Sequence, residues 1–210
     1  MIEQKKDISV LTADDHTIVR TGLHMLLQLR FGITQFYEAA SCAELLTCLR
    51  KNKPTHLIID SIFKDGNSLE VMPVLLNLFP DLRIMVYSML PAEVYEAAFR
   101  KYGVYCYLHK GSSQEKIEST LQQFLDHSQP ISYQLKTAAS EAVNLFGGLS
   151  TRELEVLHYL LRGDTIGDTA DALNLHKNTV STLKSRIFEK VGVANIKELM
   201  DKATANQMNP

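Results

Sequence analysis

The chain has 210 residues and a formal net charge of −2, and 45% of its residues are hydrophobic against 22% charged. This is globular composition, which excludes a wholly disordered or collagen-like chain. No apolar run reaches the roughly 18–20 residues of a membrane span, and three cysteines without C-x-x-C spacing argue against a disulfide framework or a zinc ribbon. We therefore expect a soluble, cytoplasmic protein with no membrane contact and with one large or two small domains.

Residues 1–125 alternate short apolar runs with amphipathic stretches, which predicts a doubly wound α/β domain with a five-stranded parallel sheet. The strands are predicted at Ile8–Thr12, Gln35–Ala39, His56–Asp60, Ile84–Ser88 and Cys106–His109. The helices are predicted at Ile18–Gln28, Ala43–Asn52, Ser68–Phe79, Pro91–Lys101 and Gln114–Leu125.

Residues 126–148 differ in composition and predict a linker, although the stretch from Gln134 to Phe146 is also compatible with a helix. Residues 149–210 show helical periodicity only, which predicts a small all-α domain of four helices. Ser150 and Glu153 have the spacing of a capping box, and Thr165 is a candidate N-cap for the second helix. The third helix is predicted to start at His176 or Asn178 and the fourth to span Ala194–Ala203.

Polar side chains follow four of the five predicted strands. Asp14 and Asp15 follow the first strand, Asp60 ends the third, and Ser88 and Lys110 fall at the fourth and fifth. One aspartate at a strand end is more often a turn former or a helix cap than a catalytic group. All five fall at the carboxyl edge of the sheet, however, where open α/β sheets bind ligands.

Three clustered carboxylates need a neutralising cation, and hard oxygen donors favour Mg²⁺. Phosphoryl transfer requires groups that position the phosphoryl group and stabilise its charge, and Mg²⁺, a lysine and a hydroxyl meet this need. The candidate nucleophile is Asp60, the carboxylate that ends the central strand.

Residues 7–125 resemble the receiver domain of two-component response regulators, which has a flavodoxin-like fold. The matching segments are ADDH after the first strand, LIIDSIFKDG around the third, VYSM at the fourth and CYLHKG at the fifth. The resemblance implies that Asp60 accepts a phosphoryl group from a histidine kinase. It implies further that Asp14, Asp15, Asp60 and the backbone carbonyl of Ile62 hold Mg²⁺. Ser88 and Lys110 would then contact the phosphoryl oxygens, and Tyr107 would be the switch aromatic.

Several positions depart from the family pattern. Lys64 and Gly111 stand where prolines are usual, and the proline after the lysine normally follows a cis peptide bond. Ser68 replaces a frequent glycine, and Val104 and Cys106 replace small residues. The acceptor, the metal ligands and the lysine are all retained.

The third helix of the second domain carries the chain's most basic stretch, with four cations against one acid over residues 176–190. Helical spacing places Val180, Leu183, Ile187 and Val191 in the core and leaves polar residues facing outward. On charge alone, a solvated helix face is about as good an explanation as a DNA-reading helix. The concentration of hydroxyls, an amide and bases favours DNA. The candidate DNA-binding residues are Lys177, Asn178, Thr179, Ser181, Thr182, Lys184, Ser185 and Arg186.

Residues 149–210 are similar to the LuxR-type helix-turn-helix of the NarL/FixJ family, most clearly in NTVST and the following KSR. The resemblance implies a phosphorylation-dependent transcriptional regulator that binds double-stranded promoter DNA as a homodimer, with RNA polymerase as a further candidate partner. It implies no enzyme beyond phosphoryl transfer to itself and slow autodephosphorylation.

The alternative is a phosphorylation-independent regulator whose receiver serves only for dimerisation, an interpretation to which Lys64, Ser68 and Gly111 lend weight. An aspartate-nucleophile phosphatase is less consistent with the chain, because Ile62 stands where that class has a second aspartate. A dinucleotide-binding enzyme is weaker still, because no glycine loop follows the first strand.

Overall fold

The computed structural model describes residues 8–126, 146 and 148–205. The described residues form two compact units, one with the residues up to Met89 and from Phe99 to Asp126, the other with Leu90–Ala98 and the helices beyond residue 148. The predicted linker and its candidate helix lie almost entirely outside the described residues. The boundaries 1–125, 126–148 and 149–210 therefore stay a prediction.

The first unit is built on the predicted five-stranded parallel sheet. Its strands are β1 (Ser9–Ala13), β2 (Gln35–Ala39), β3 (His56–Ile59), β6 (Arg83–Ser88) and β7 (Cys106–His109). Across the sheet they run in the order β2-β1-β3-β6-β7. The bounds of β2 and β7 match the prediction, and the other three strands differ by one residue at one or both ends. The direction of strand addition reverses at β1, which opens a crevice at the carboxyl ends of β1 and β3.

Five helices alternate with these strands along the chain. They are α1 (Thr17–Phe31), α2 (Cys42–Asn52), α3 (Ser68–Leu78), α4 (Ala92–Arg100) and α5 (Gln114–Leu125). Leu27 of α1 and Phe124 of α5 are fully buried in one cluster with Val10, Ile58 and Met85 of the sheet. The connection from β1 to β2 and the connection from β2 to β3 run in opposite directions across the sheet. Right-handed crossovers therefore place α2 and α3 on the face opposite α1.

A two-stranded hairpin between β3 and α3 was not predicted. Its strands are β4 (Ile62–Phe63) and β5 (Gly66–Asn67), which pair antiparallel. Asp65 at its tip accepts hydrogen bonds from the backbone N–H groups of Cys42 and Ala43, at 3.0 and 3.2 Å. Two-residue strands carry no readable alternation, so periodicity does not reveal them.

The second unit contains four helices beyond residue 148, as predicted. They are α6 (Thr151–Leu161), α7 (Ile166–Ala172), α8 (Lys177–Val191) and α9 (Ile196–Ala205). The Ser150–Glu153 capping box is confirmed, and Thr165 caps α7. Asn174 adopts the left-handed conformation (φ 52°) in the tight turn between α7 and α8. Within the described ranges, none of the helices combines the length and apolar character needed to cross a bilayer.

Candidate phosphoacceptor site and nucleic-acid interface

The crevice at the carboxyl ends of β1 and β3 is acidic. Asp14 follows β1 and is 3% exposed, and Asp60 follows β3 and is 8% exposed. The backbone N–H of Asp60 donates to the carbonyl of Ala13 at 2.8 Å, which ties the two strand ends together. The loop after β1 also carries Asp15, whose side chain is largely buried. The structure therefore brings the three predicted carboxylates together.

Lys110 lies between two of these carboxylates. Its Nζ is 2.6 Å from Oδ2 of Asp14 and 2.6 Å from Oδ2 of Asp60. Lys110 follows β7, and its backbone N–H donates to the carbonyl of Ser88 at 2.8 Å. Because the edge strand β7 pairs in parallel with β6, Lys110 lies at the same carboxyl edge of the sheet and reaches the acidic crevice past the end of β6. One cation thus bridges two buried carboxylates.

The remaining predicted residues of this site lie on β6 and β7. Ser88, at the end of β6, is 1% exposed, and its hydroxyl hydrogen-bonds to Asp60. Tyr107 on β7 is half-buried, with its ring centroid 5.8 Å from that of Phe99. Ser88 therefore lies at the acceptor, while Tyr107 packs against an aromatic neighbour.

The pKa values of Asp60 and Lys110 are set by burial and by neighbouring charges together. Burial raises the pKa of Asp60, with Asp14 adding to the effect, while Lys110 and the Ser88 hydroxyl oppose it. Burial would lower the pKa of Lys110, but the attraction of Asp60 and the hydrogen bonds to Asp14 and Asp60 raise it above its ordinary value. The lysine is therefore a firmly protonated cation beside the acceptor.

The donor set suits a hard divalent cation. Asp14, Asp15, His16 and Asp60 each offer a ligand atom, and these atoms lie within 4.8 Å of one another. Oδ1 of Asp15 is buried and accepts no hydrogen bond, although Nδ1 of His16 lies 2.7 Å away. An unsatisfied buried carboxylate oxygen among other carboxylates is what Mg²⁺ coordination would resolve. Ile62, whose carbonyl is the fourth predicted ligand, lies on β4.

Arg20 is a residue of this site that the sequence reasoning missed. It is 8% exposed, and its Nη1 donates to the backbone carbonyl of Asp14 at 2.6 Å, while its Nε donates to Glu38 at 2.8 Å. Arg20 thus holds the backbone of the acidic loop. A signal was present, because Arg20 shares the buried face of α1 with Leu23 and Leu27 at helical spacing.

The departures from the family pattern lie around the crevice without blocking it. The Lys64 side chain is 87% exposed, with Nζ 3.9 Å from Oδ2 of Asp15. No peptide bond within the described residues is cis, including the one between Lys110 and Gly111.

The predicted DNA-binding residues lie along one surface of α8. Lys177, Asn178, Thr179, Thr182, Ser185 and Arg186 are exposed, and Ser181 and Lys184 are half-buried. Val180, Ile187 and Val191 are buried as expected, whereas Leu183 is only half-buried.

Some of these polar groups are already bonded within α8. The Thr182 hydroxyl donates to the carbonyl of Asn178 at 2.9 Å, and the Ser185 hydroxyl donates to that of Ser181 at 3.1 Å. Phosphate oxygens only accept hydrogen bonds, so the lysines, Arg186 and the Asn178 amide are the groups best placed to contact a DNA backbone.

Each of the two units matches a known protein family. Residues 10–122 match the family described as "Response regulator receiver domain", and residues 148–203 match "Bacterial regulatory proteins, luxR family". The chain is a response regulator of the NarL/FixJ family. This response regulator is a DNA-binding transcriptional regulator.

Similar proteins cover nearly the whole response regulator. Response regulator GacA of Pseudomonas aeruginosa is 28% identical over 91% of this chain and 93% of its own length. Oxygen regulatory protein NreC of Staphylococcus epidermidis is 27% identical over 96% of this chain and 99% of its own. RcsB from Salmonella enterica serovar Typhimurium, solved on the promoter rprA with the phosphomimetic BeF₃⁻, has the same fold. Its TM-score is 0.68 at 23% identity, over 95% of this chain and 99% of that one.

Proposed function

We propose that Asp60 accepts a phosphoryl group from a histidine kinase or a small phosphodonor. An Asp60 carboxylate oxygen forms a bond to phosphorus while the bond to the donor's nitrogen or oxygen breaks, and its electron pair leaves with the donor. The observation that carries this proposal is the placement of Lys110 Nζ at 2.6 Å from both Asp60 and Asp14. The lysine supplies positive charge where the phosphoryl oxygens would lie, which is the main catalytic need of this transfer.

Asp14, Asp15, Asp60 and the carbonyl of Ile62 would hold Mg²⁺. When bound, the cation would neutralise the phosphoryl oxygens and orient the donor. The chain's own groups do the rest. Lys110 pairs with the phosphoryl oxygens, and Ser88, already bonded to Asp60, gives its hydroxyl to them. Water then hydrolyses the acyl phosphate slowly, which resets the protein.

Phosphorylation would shift the receiver between two arrangements through Ser88 and Tyr107, favour a homodimer, and strengthen the binding of α8 to promoter DNA. The exposed cations and amide of α8 support the DNA contact. RcsB, one of the structural neighbours, has been solved on promoter DNA with BeF₃⁻ and as two dimers on two parallel DNAs. RNA polymerase is a further partner of the proposed promoter complex.

The phosphoryl transfer is tested by intact mass after incubation with acetyl phosphate and Mg²⁺. The wild type should gain the mass of one phosphoryl group, and Asp60→Asn and magnesium-free samples should gain none. Equal gains in Asp60→Asn would place the acceptor elsewhere. No gain in a folded wild type that still binds DNA would favour the phosphorylation-independent regulator.

The DNA contact is tested by the salt dependence of affinity for duplexes that the full chain selects from a random pool. Log Kd should depend less steeply on log salt in Arg186→Gln, by about 0.9 if that side chain contacts one phosphate. Lys197→Gln is the matched control, because Lys197 is an exposed lysine on α9 rather than α8. Equal slopes in wild type and both variants would remove Arg186 from the interface.

A further inference from the structure

The imidazole of His109 connects two loops at the rim of the phosphoacceptor crevice. One loop begins with Met89, directly after Ser88, and the other carries Lys110 and Gly111. Nε2 of His109 lies 3.0 Å from the backbone carbonyl of Met89, and the backbone N–H of Gly111 donates to Nδ1 of His109 at 3.0 Å. One side chain therefore bonds to the backbone of both loops.

The two partners fix the tautomer of this ring. The N–H of Gly111 can only donate, so Nδ1 must be the unprotonated nitrogen, and the proton lies on Nε2. The carbonyl of Met89 can only accept, so Nε2–H donates to it. Both bonds are satisfied by one neutral tautomer.

The same contact explains why residue 111 is glycine where the family usually has proline. A Cβ at this position would lie 2.9 Å from Cε1 and 3.0 Å from Nδ1 of His109. Gly111 is not among the glycines with positive φ, so backbone conformation is not the reason. Proline would bring the same Cβ and would remove the N–H that Nδ1 accepts. His109 and Gly111 thus form a matched pair.

We propose that His109 is a positioning residue that holds Ser88 in register with Lys110, and this rests on the proposed phosphoryl transfer. Ser88 is paired with His109 across the β6–β7 ladder, and the Lys110 N–H bonds to the carbonyl of Ser88. The bond from His109 to Met89 extends this pairing one residue beyond the end of β6. It restrains the peptide that follows Ser88 and so the direction of the serine hydroxyl toward the phosphoryl group. His109 makes no direct contribution to the chemistry.

Three substitutions separate the two bonds of the ring. His109→Gln places an amide N–H near the position of Nε2 and keeps the donor to Met89, whereas His109→Asn places an oxygen near Nδ1 and keeps only the acceptor for Gly111. His109→Ala keeps neither. We expect the maximal rate of labelling by acetyl phosphate to fall roughly 3- to 10-fold in His109→Ala and His109→Asn and to be largely kept in His109→Gln. Mg²⁺ affinity should stay unchanged in all three, because the carboxylates are untouched.

A double-mutant cycle tests the pairing with Gly111. Gly111→Ala should slow labelling about as much as His109→Ala, because its Cβ displaces the ring. The double variant should be no slower than either single one. Additive losses, or equal rates in the Gln, Asn and Ala variants, would overturn the proposal.

Imidazole ¹⁵N NMR of the unphosphorylated protein supplies a readout that does not depend on phosphoryl transfer. It should show the proton on Nε2 of His109, and His109→Ala should shift the amide signals of Ser88 and Met89 more than His109→Gln does. A wild type that takes no phosphoryl group but shows these signals would defeat the proposed function and leave the loop contact standing. Labelling of the wild type with a proton on Nδ1 would defeat the positioning role alone.

Discussion

At the scale of single residues, one cation between two carboxylates organises the acceptor site. Lys110 satisfies Oδ2 of Asp14 and of Asp60, while their other oxygens accept the backbone N–H groups of His16 and Ser61 at 2.9 and 2.6 Å. The lysine therefore competes with a divalent cation for the same charge. It also keeps two buried like charges from repelling each other when no cation is bound.

Replacing the lysine should strengthen magnesium binding. In Lys110→Met the carboxylates lose a positive charge 2.6 Å away, so the Kd for Mg²⁺ should fall by roughly 3- to 10-fold. Isothermal titration with MgCl₂ measures it. Lys116→Met, at an exposed lysine on α5, is the matched control and should leave the Kd unchanged. An unchanged or weaker affinity in Lys110→Met would contradict this placement of the charge.

At the scale of elements, the N-terminus of α2 shows how the acceptor loop is fixed. Ser41 caps the helix by accepting the N–H of Glu44 at 3.1 Å. The Asp65 carboxylate satisfies the N–H groups of Cys42 and Ala43 from the hairpin that also carries Ile62. Negative charge at a helix N-terminus is favourable, so Asp65 both stabilises α2 and anchors the hairpin.

Removing the two caps should therefore have different consequences. Asp65→Ala and Ser41→Ala should each lower the free energy of unfolding by about 1 kcal/mol, measured by urea denaturation. Of the two variants, Asp65→Ala alone should also weaken Mg²⁺ binding, because Asp65 lies on the hairpin that carries the Ile62 carbonyl and Ser41 does not. Equal magnesium affinities in the two variants would show that the anchor does not matter to the metal site.

Helix α6 carries a histidine whose titration should make stability depend on pH. Burial lowers the pKa of His158 to about 4, with Arg162 acting in the same direction and Asp164 opposing it. An unfolded histidine titrates near pH 6.5, so the unfolded state binds more protons between about pH 6.5 and 4. The contribution of neutral His158 is fully present above pH 6.5, and it is lost as the pH falls through this window, by at most about 1.4 kcal/mol per pH unit.

Urea unfolding of the full chain at pH 7, 6 and 5, followed by circular dichroism, measures this slope. His158→Gln should flatten it, and His176→Gln, at an exposed histidine, should leave it as in the wild type. Parallel curves for the wild type and His158→Gln would show that His158 titrates alike in the folded and unfolded states, which would contradict the lowered pKa.

The elements also show what the sequence can predict. The strands and helices of the sheet follow from apolar periodicity, and the carboxyl-edge cluster follows from topology once the strands are known. The β4–β5 hairpin, the anchoring of α2 by Asp65 and the ring of His109 between two loops do not. The strands of the hairpin are too short to show alternation, and the other two depend on contacts between residues 20 or more positions apart, which no local pattern encodes.

At the scale of the whole molecule, the chain joins a receiver to a LuxR-type DNA-binding module in a protein whose net charge is −2. The net charge gives the surface as a whole no general attraction to DNA, so we propose that the phosphate contacts come from the basic stretch on α8. If the electrostatic attraction to DNA is weak, a modest change in binding free energy on phosphorylation is enough to convert mostly free protein into mostly bound protein.

Control of DNA binding by Asp60 is tested by comparing DNA affinity with and without the phosphoryl group. Fluorescence anisotropy on one selected duplex, at fixed salt, would follow the full chain before and after acetyl phosphate treatment, with Asp60→Asn treated identically. We predict at least about a 10-fold gain in affinity for the treated wild type, or about 1.4 kcal/mol, and no gain for Asp60→Asn. Equal affinities for the labelled and unlabelled wild type would contradict control of DNA binding by Asp60.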